Sequence, residues 1–130
     1  MVFIIPIVFN MDFSKCTPSS SEYDLDGTFL HFLRQLELSL QLCYDSFHDL
    51  VILSAFRSIQ HEQKMGRTGD SVHCLGKAVD IECKNNSHRY HIINYCLRNK
   101  ISRIGVYKNF IHIDMGTYKD RKSEFVIWYG

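Results

Sequence analysis

Ser71-Val72-His73-Cys74-Leu75-Gly76-Lys77-Ala78-Val79-Asp80 places an imidazole and a carboxylate on either side of one glycine. Alternation after Gly76 predicts a strand over residues 77–83, with Ala78, Asp80 and Glu82 on one face. Ala78 is small and leaves room beside Asp80. Gly76 permits a turn through which His73 converges on Asp80. Further on, Phe110-Ile111-His112-Ile113-Asp114 reads as another strand. His112 can stand beside Asp80 across a ladder, at a Cβ separation of ~5 Å. Two imidazoles and one carboxylate at one point suit zinc in a hydrolase, which takes three protein ligands and keeps one position for water. A face charge on a strand and a packed histidine use the same residue types, so spacing alone leaves a metal-free alternative open.

The flanking segments supply the scaffold. Residues 12–26 are rich in Ser, Thr, Pro and acidic side chains and read as a surface loop, with Asp24 or Asp26 capping a helix. The helix is expected over residues 28–47, because Phe29, Phe32, Leu33, Leu36, Leu40, Cys43, Tyr44 and Phe47 recur at helical spacing. Leu30, Leu38 and Leu42 widen the stripe, so cover on more than one side is expected. Residues 50–53 form a short β-branched run and read as a buried strand. Residues 59–70 are polar, with Gly66 and Gly69 as punctuation, and read as a loop that shapes a cleft. Asn85, Asn86 or Ser87 caps a second helix over residues 88–99, whose apolar face is Tyr90, Ile93, Cys96 and Leu97. His88 and His91 on it read as solvated or capping. Strands over 104–107 and 110–115 are joined by Lys108-Asn109, the length of a hairpin turn. A last strand is expected over 123–129. The order predicts an α+β domain over residues 1–130, a small antiparallel sheet packed against two or more helices.

Composition narrows the function. The 130 residues carry a net charge of +1 and are 45% apolar, so no basic field points to nucleic acid or an anionic membrane. The five cysteines form no C-x-x-C pair and read as reduced thiols in a reducing compartment. No run reaches the ~20 apolar residues of a membrane span. Residues 1–9 are apolar but lack the basic start of a signal peptide. They read as a buried edge strand, or as residues ahead of a natural start at Met11, and a cytoplasmic protein is expected. Three decoys fail on inspection. His61-Glu62-Gln63-Lys64-Met65 begins like H-E-x-x-H but ends in Met. His112-Ile113-Asp114 begins like an iron facial triad, with no histidine downstream. Cys74 lacks an activating partner, because on extended backbone His73 points the other way.

The ten-residue stretch matches S-x-H-x-x-G-x-A-x-D. It resembles the zinc D-Ala-D-Ala carboxypeptidases, the vancomycin-resistance D,D-dipeptidases and the phage L-Ala-D-Glu endopeptidases, whose fold is shared by the hedgehog signalling domain. Ser54-Ala55-Phe56-Arg57-Ser58 resembles the family's S-G-Y-R-S segment, and Phe110-Ile111-His112-Ile113-Asp114 resembles F-V-H-V-D of its small bacterial and phage branch. The resemblance implies that His73, Asp80 and His112 bind zinc. It implies that Arg57 points into the cleft to hold a substrate carboxylate or an oxyanion, and that Ser71 supports the substrate-binding site. Several relatives carry an acidic base three residues before the last histidine, where this chain has Asn109. Asp114 is the best replacement as catalytic base and Glu82 the reserve, while Asp114 serves equally as a partner that orients an imidazole. The implied activity is hydrolysis of peptidoglycan peptide stems by a monomeric zinc peptidase. A phage or prophage enzyme reaching the wall on lysis fits its size. An inactive zinc-binding module of the same fold and a metal-free structural protein are the other readings.

Overall fold

Period-two alternation decides which face of the sheet carries chemistry. The computed structural model describes residues 10–130. It has strands β1 (Ile52–Ser54), β2 (Ala78–Glu82), β3 (Arg103–Val106), β4 (Phe110–Asp114) and β5 (Val126–Tyr129), with helices α1 (Gly27–Cys43), α2 (Ile59–Lys64) and α3 (Asn86–Arg98). The strands form one sheet in the order β1-β2-β4-β3-β5. Val79, Ile81, Ile104, Ile111 and Ile113 point to one face and join Phe29, Leu33, Leu36 and Leu40 of α1 and Ile92 and Cys96 of α3 in the core. A helical stripe against alternating β-branched residues removes both apolar surfaces from water, the main favourable term of this fold. The alternate positions, Asp80, His112, Asp114 and Arg103, are thereby forced to the opposite face.

The α+β class holds, and the sheet differs from the expected one. β5 runs parallel to β3, so the sheet is mixed. A parallel partner distant in sequence leaves no hairpin signal, which is why it escaped the sequence. α1 begins at an Asp26 cap, whose carboxylate accepts the N–H groups of Thr28 and Phe29 at 3.0 and 3.1 Å, and it ends before Tyr44. Leu42 lies on its exposed side. In the expected loop over 59–70, Ser58 caps the short helix α2 through a 3.0 Å bond from His61 N–H. On α3, capped by Asn85, Ile92 and Cys96 point inward while Tyr90 and Leu97 are exposed. His91 bonds Ser39 Oγ at 2.7 Å, and His88 packs edge-on against Tyr44 and Phe47, so neither is simply solvated. The five cysteines are free thiols. The edge strand expected over residues 1–9 lies outside the described residues.

Candidate metal centre

One row of residues crosses the open face of the sheet. Antiparallel register sets Asp80 opposite His112, and His112 opposite Gly105; parallel register then carries the row to Trp128. The next row holds Ala78, Asp114 and Arg103. His73 reaches the first row from a 3-10 turn, Val72–Leu75. Ser71 caps that turn, its Oγ accepting the His73 N–H at 3.2 Å. Gly76 ends it at φ +68°, and a Cβ there would lie 2.7 Å from the Asp24 carbonyl oxygen. Both demands select glycine. Gly76→Ala is expected to cost about 2 kcal/mol, read as a lower urea midpoint.

Each imidazole has one nitrogen committed to the protein and the other aimed at Asp80. Nδ1 of His73 donates to the Ala55 carbonyl at 2.7 Å, leaving the Nε2 lone pair 3.7 Å from Asp80 Oδ1. His112 is turned the other way: Nε2 donates to Asp114 Oδ2 at 2.6 Å, and Nδ1 lies 2.8 Å from Asp80 Oδ1. Ligand atoms of the three residues all lie within 4.8 Å of one another. A tetrahedral zinc with bonds of ~2.1 Å spaces its ligands ~3.4 Å apart. That value falls between the 2.8 and 3.7 Å separations found here. The donor set fits zinc, and the outer partners fix both ring orientations.

Electrostatics prepares the two rings differently. Burial lowers His73 to about 4 against the pull of Asp80, so it is neutral near pH 7. Burial also opposes charge on His112, but its bonds to Asp114 and Asp80 outweigh this and raise its pKa. When His112 is protonated its Nδ1–H donates to Asp80 at 2.8 Å, and a cation would take that proton's place. Burial alone would raise Asp114, yet the bonds from His112 and Gly116 and the charge of Arg103 hold it below the usual carboxylate range.

These shifts give opposite pH limbs for the metal-free protein. His73 is depressed when folded, so its contribution is present above pH 6.5 and lost as pH falls toward 4. His112 is raised when folded, so its contribution is present below the unfolded value and lost as pH rises through the folded one. Stability is expected to peak near the ordinary histidine value, with up to about 3 kcal/mol at stake on the acid limb. Urea midpoints across pH check this, and His73→Gln should flatten that limb.

The three residues line a cleft of about 580 Å³ that Arg57, Arg67, Asp70, Tyr107 and Trp128 also line. Arg57 is thus among the residues that line the cleft. Ser71 lines it too, with its hydroxyl turned to His73 N–H. Asp114 is 1% exposed and has both oxygens engaged: Oδ2 with His112, and Oδ1 with Arg103 Nε and Gly116 N–H, each at 2.8 Å. This geometry fits the orienting role better than that of a free base. Glu82 is not in the lining of this cleft and pairs with Lys15 at 3.2 Å.

Three contributors were missed in the sequence. Arg103 bonds Asp114 and the Ser123 carbonyl. Trp128 stands 5.3 Å from the His112 ring and under the Arg103 guanidinium, and its Nε1 donates to Tyr107 Oη at 2.9 Å. Gly105 makes room for it, since a Cβ there would meet the indole at 2.7 Å. Glu62, set aside with the failed H-E-x-x-H motif, is wholly buried behind the cleft between Arg57 and Arg67.

A family model described as Peptidase M15 matches residues 15–114. No curated protein matches the chain.

Proposed function

The chain belongs to the M15 peptidase family, and from that premise we propose that it is a zinc-dependent enzyme hydrolysing the peptide stems of bacterial peptidoglycan. The supporting observation is the convergence of His73 Nε2, Asp80 Oδ1 and His112 Nδ1 in a cleft that also receives Arg57. His73, Asp80 and His112 would hold the ion. Zinc, when bound, lowers the pKa of a coordinated water toward ~7 and polarises a carbonyl oxygen. Ala55 and Asp114 keep each imidazole in the tautomer that offers its lone pair to the site. The terminal nitrogens of Arg57 donate to no atom of the described residues. They can hold a substrate carboxylate or steady the charge that develops on the carbonyl oxygen. Ser71 acts through the backbone of His73.

Zinc-loaded protein is expected to cut purified stem peptides at one bond, seen by mass spectrometry as two fragments. No helix of the described residues is long and apolar enough to cross a membrane. Intact stem peptides beside bound zinc would contradict the proposal. That outcome would favour the inactive zinc-binding module, which Asn109 and the engaged carboxylate of Asp114 support.

A further inference from the structure

Glu62 is a buried carboxylate that the proposed chemistry does not use. It sits on α2 with no solvent exposure, and its two oxygens face different arginines. Oε1 forms an ion pair with Arg57 Nε at 3.2 Å without hydrogen-bond geometry, and Oε2 accepts from Arg67 Nη1 at 3.1 Å. Both arginines line the cleft that holds His73, Asp80 and His112. Arg67 is brought back over α2 by Gly66, at φ +80°, and by its own N–H, which donates to the Glu62 carbonyl at 2.9 Å. A carboxylate is costly to bury unpaired, so the pairing explains why Glu62 can stand there. It does not explain the stoichiometry. Two guanidiniums share one negative charge, and one positive charge is left over on the cleft wall. Nη1 and Nη2 of Arg57, and Nε and Nη2 of Arg67, make no hydrogen bond to the described residues.

We propose that Arg57, Glu62 and Arg67 form a carboxylate clamp, in which Glu62 is a positioning residue and Arg67 a second substrate-binding residue beside Arg57. This deepens the peptidase reading and rests on it: the preferred stem peptide presents a free carboxylate to this wall. Two guanidinium forks held at fixed spacing by one buried anion match a planar carboxylate better than a lone mobile cation does. Fixing them beforehand also removes part of the ordering cost of binding.

The test titrates the zinc-loaded protein with a stem peptide as its free acid and with the same peptide after its carboxylates are converted to amides. Fluorescence of Trp128, in the same cleft, reports binding. Amidation is expected to weaken binding about 10- to 100-fold. Arg67→Ala should weaken the free acid by a similar factor and the amide by less than about two-fold, with Arg67→Lys recovering part of the loss. Glu62→Gln should also reduce the discrimination, but it removes the counter-charge of two arginines and risks the fold. Half-exposed Arg67 therefore carries the decision. Equal affinity for acid and amide, including no binding of either, would overturn the clamp, as would equal losses for both peptides in Arg67→Ala. Cleavage followed in the same samples separates the two proposals. Arg67-dependent binding of a peptide left uncut would sustain the clamp and sink the peptidase reading. Cleavage indifferent to the carboxylates would do the reverse.

Discussion

Asp80→Ala is expected to abolish zinc binding and to lower stem-peptide hydrolysis by at least about 10³-fold. Asp80 Oδ1 is the atom shared by both imidazoles, at 2.8 Å from His112 and 3.7 Å from His73. Removing it leaves two neutral nitrogens and no anionic ligand, a weak set for a divalent ion. Asp80 faces the cleft and not the helices, so the core of Val79, Ile81, Ile111 and Ile113 is untouched. Far-ultraviolet circular dichroism should therefore match the wild type while metal content falls to background. Retention of both metal and rate in this variant would remove Asp80 from the centre.

The second large effect is expected at Asp114, and it divides between metal and fold. Asp114→Ala frees the His112 ring to rotate, because the 2.6 Å bond to Nε2 is its orienting contact. Loss of such a partner typically costs 10- to 100-fold in metal affinity. The same change leaves Arg103, whose side chain is 14% exposed, without its carboxylate. Breaking a buried pair costs about 3–5 kcal/mol. The lower end is expected, since Arg103 keeps the Ser123 carbonyl and the Trp128 face. Zinc titration and urea unfolding of the metal-free variant measure the two parts separately. If Asp114 were instead a free base, hydrolysis would collapse with zinc affinity and stability unchanged.

The difference between what the sequence discloses and what it hides is one of range. The His73-to-Asp80 spacing was legible because every step in it is local: a Ser71 cap, a single turn, a left-handed glycine and strand alternation. The pairing of Asp80 with His112 was legible because two strands with matching alternation offer few registers. The parallel docking of β5 was hidden, since it depends on Gly105 accepting an indole from 23 positions away. Trp128 therefore looked like one more residue of a last strand. Glu62 was hidden for a different reason. Its role depends on two arginines that flank it in sequence but converge only once α2 forms inside a stretch that reads as loop. The cap at Ser58 was the available signal. On α3 the apolar stripe was right at Ile93 and Cys96 and misassigned at Tyr90 and Leu97, which are apolar and exposed, while His88 and His91 are polar and packed.

The central claim is that a metal ion is held at His73, Asp80 and His112, and the chain's single tryptophan provides the most direct test of it. Trp128 lies 5.3 Å from the His112 ring, within quenching range of a paramagnetic ion at the site. Metal-free protein should be titrated with cobalt(II) at neutral pH while Trp128 emission is followed. The emission is expected to fall, to level off at about one equivalent per chain, and to recover when zinc, which suits a four-coordinate histidine and carboxylate site, displaces the cobalt. Emission unchanged by cobalt, or a fall that zinc does not reverse, would contradict a metal centre at these three residues.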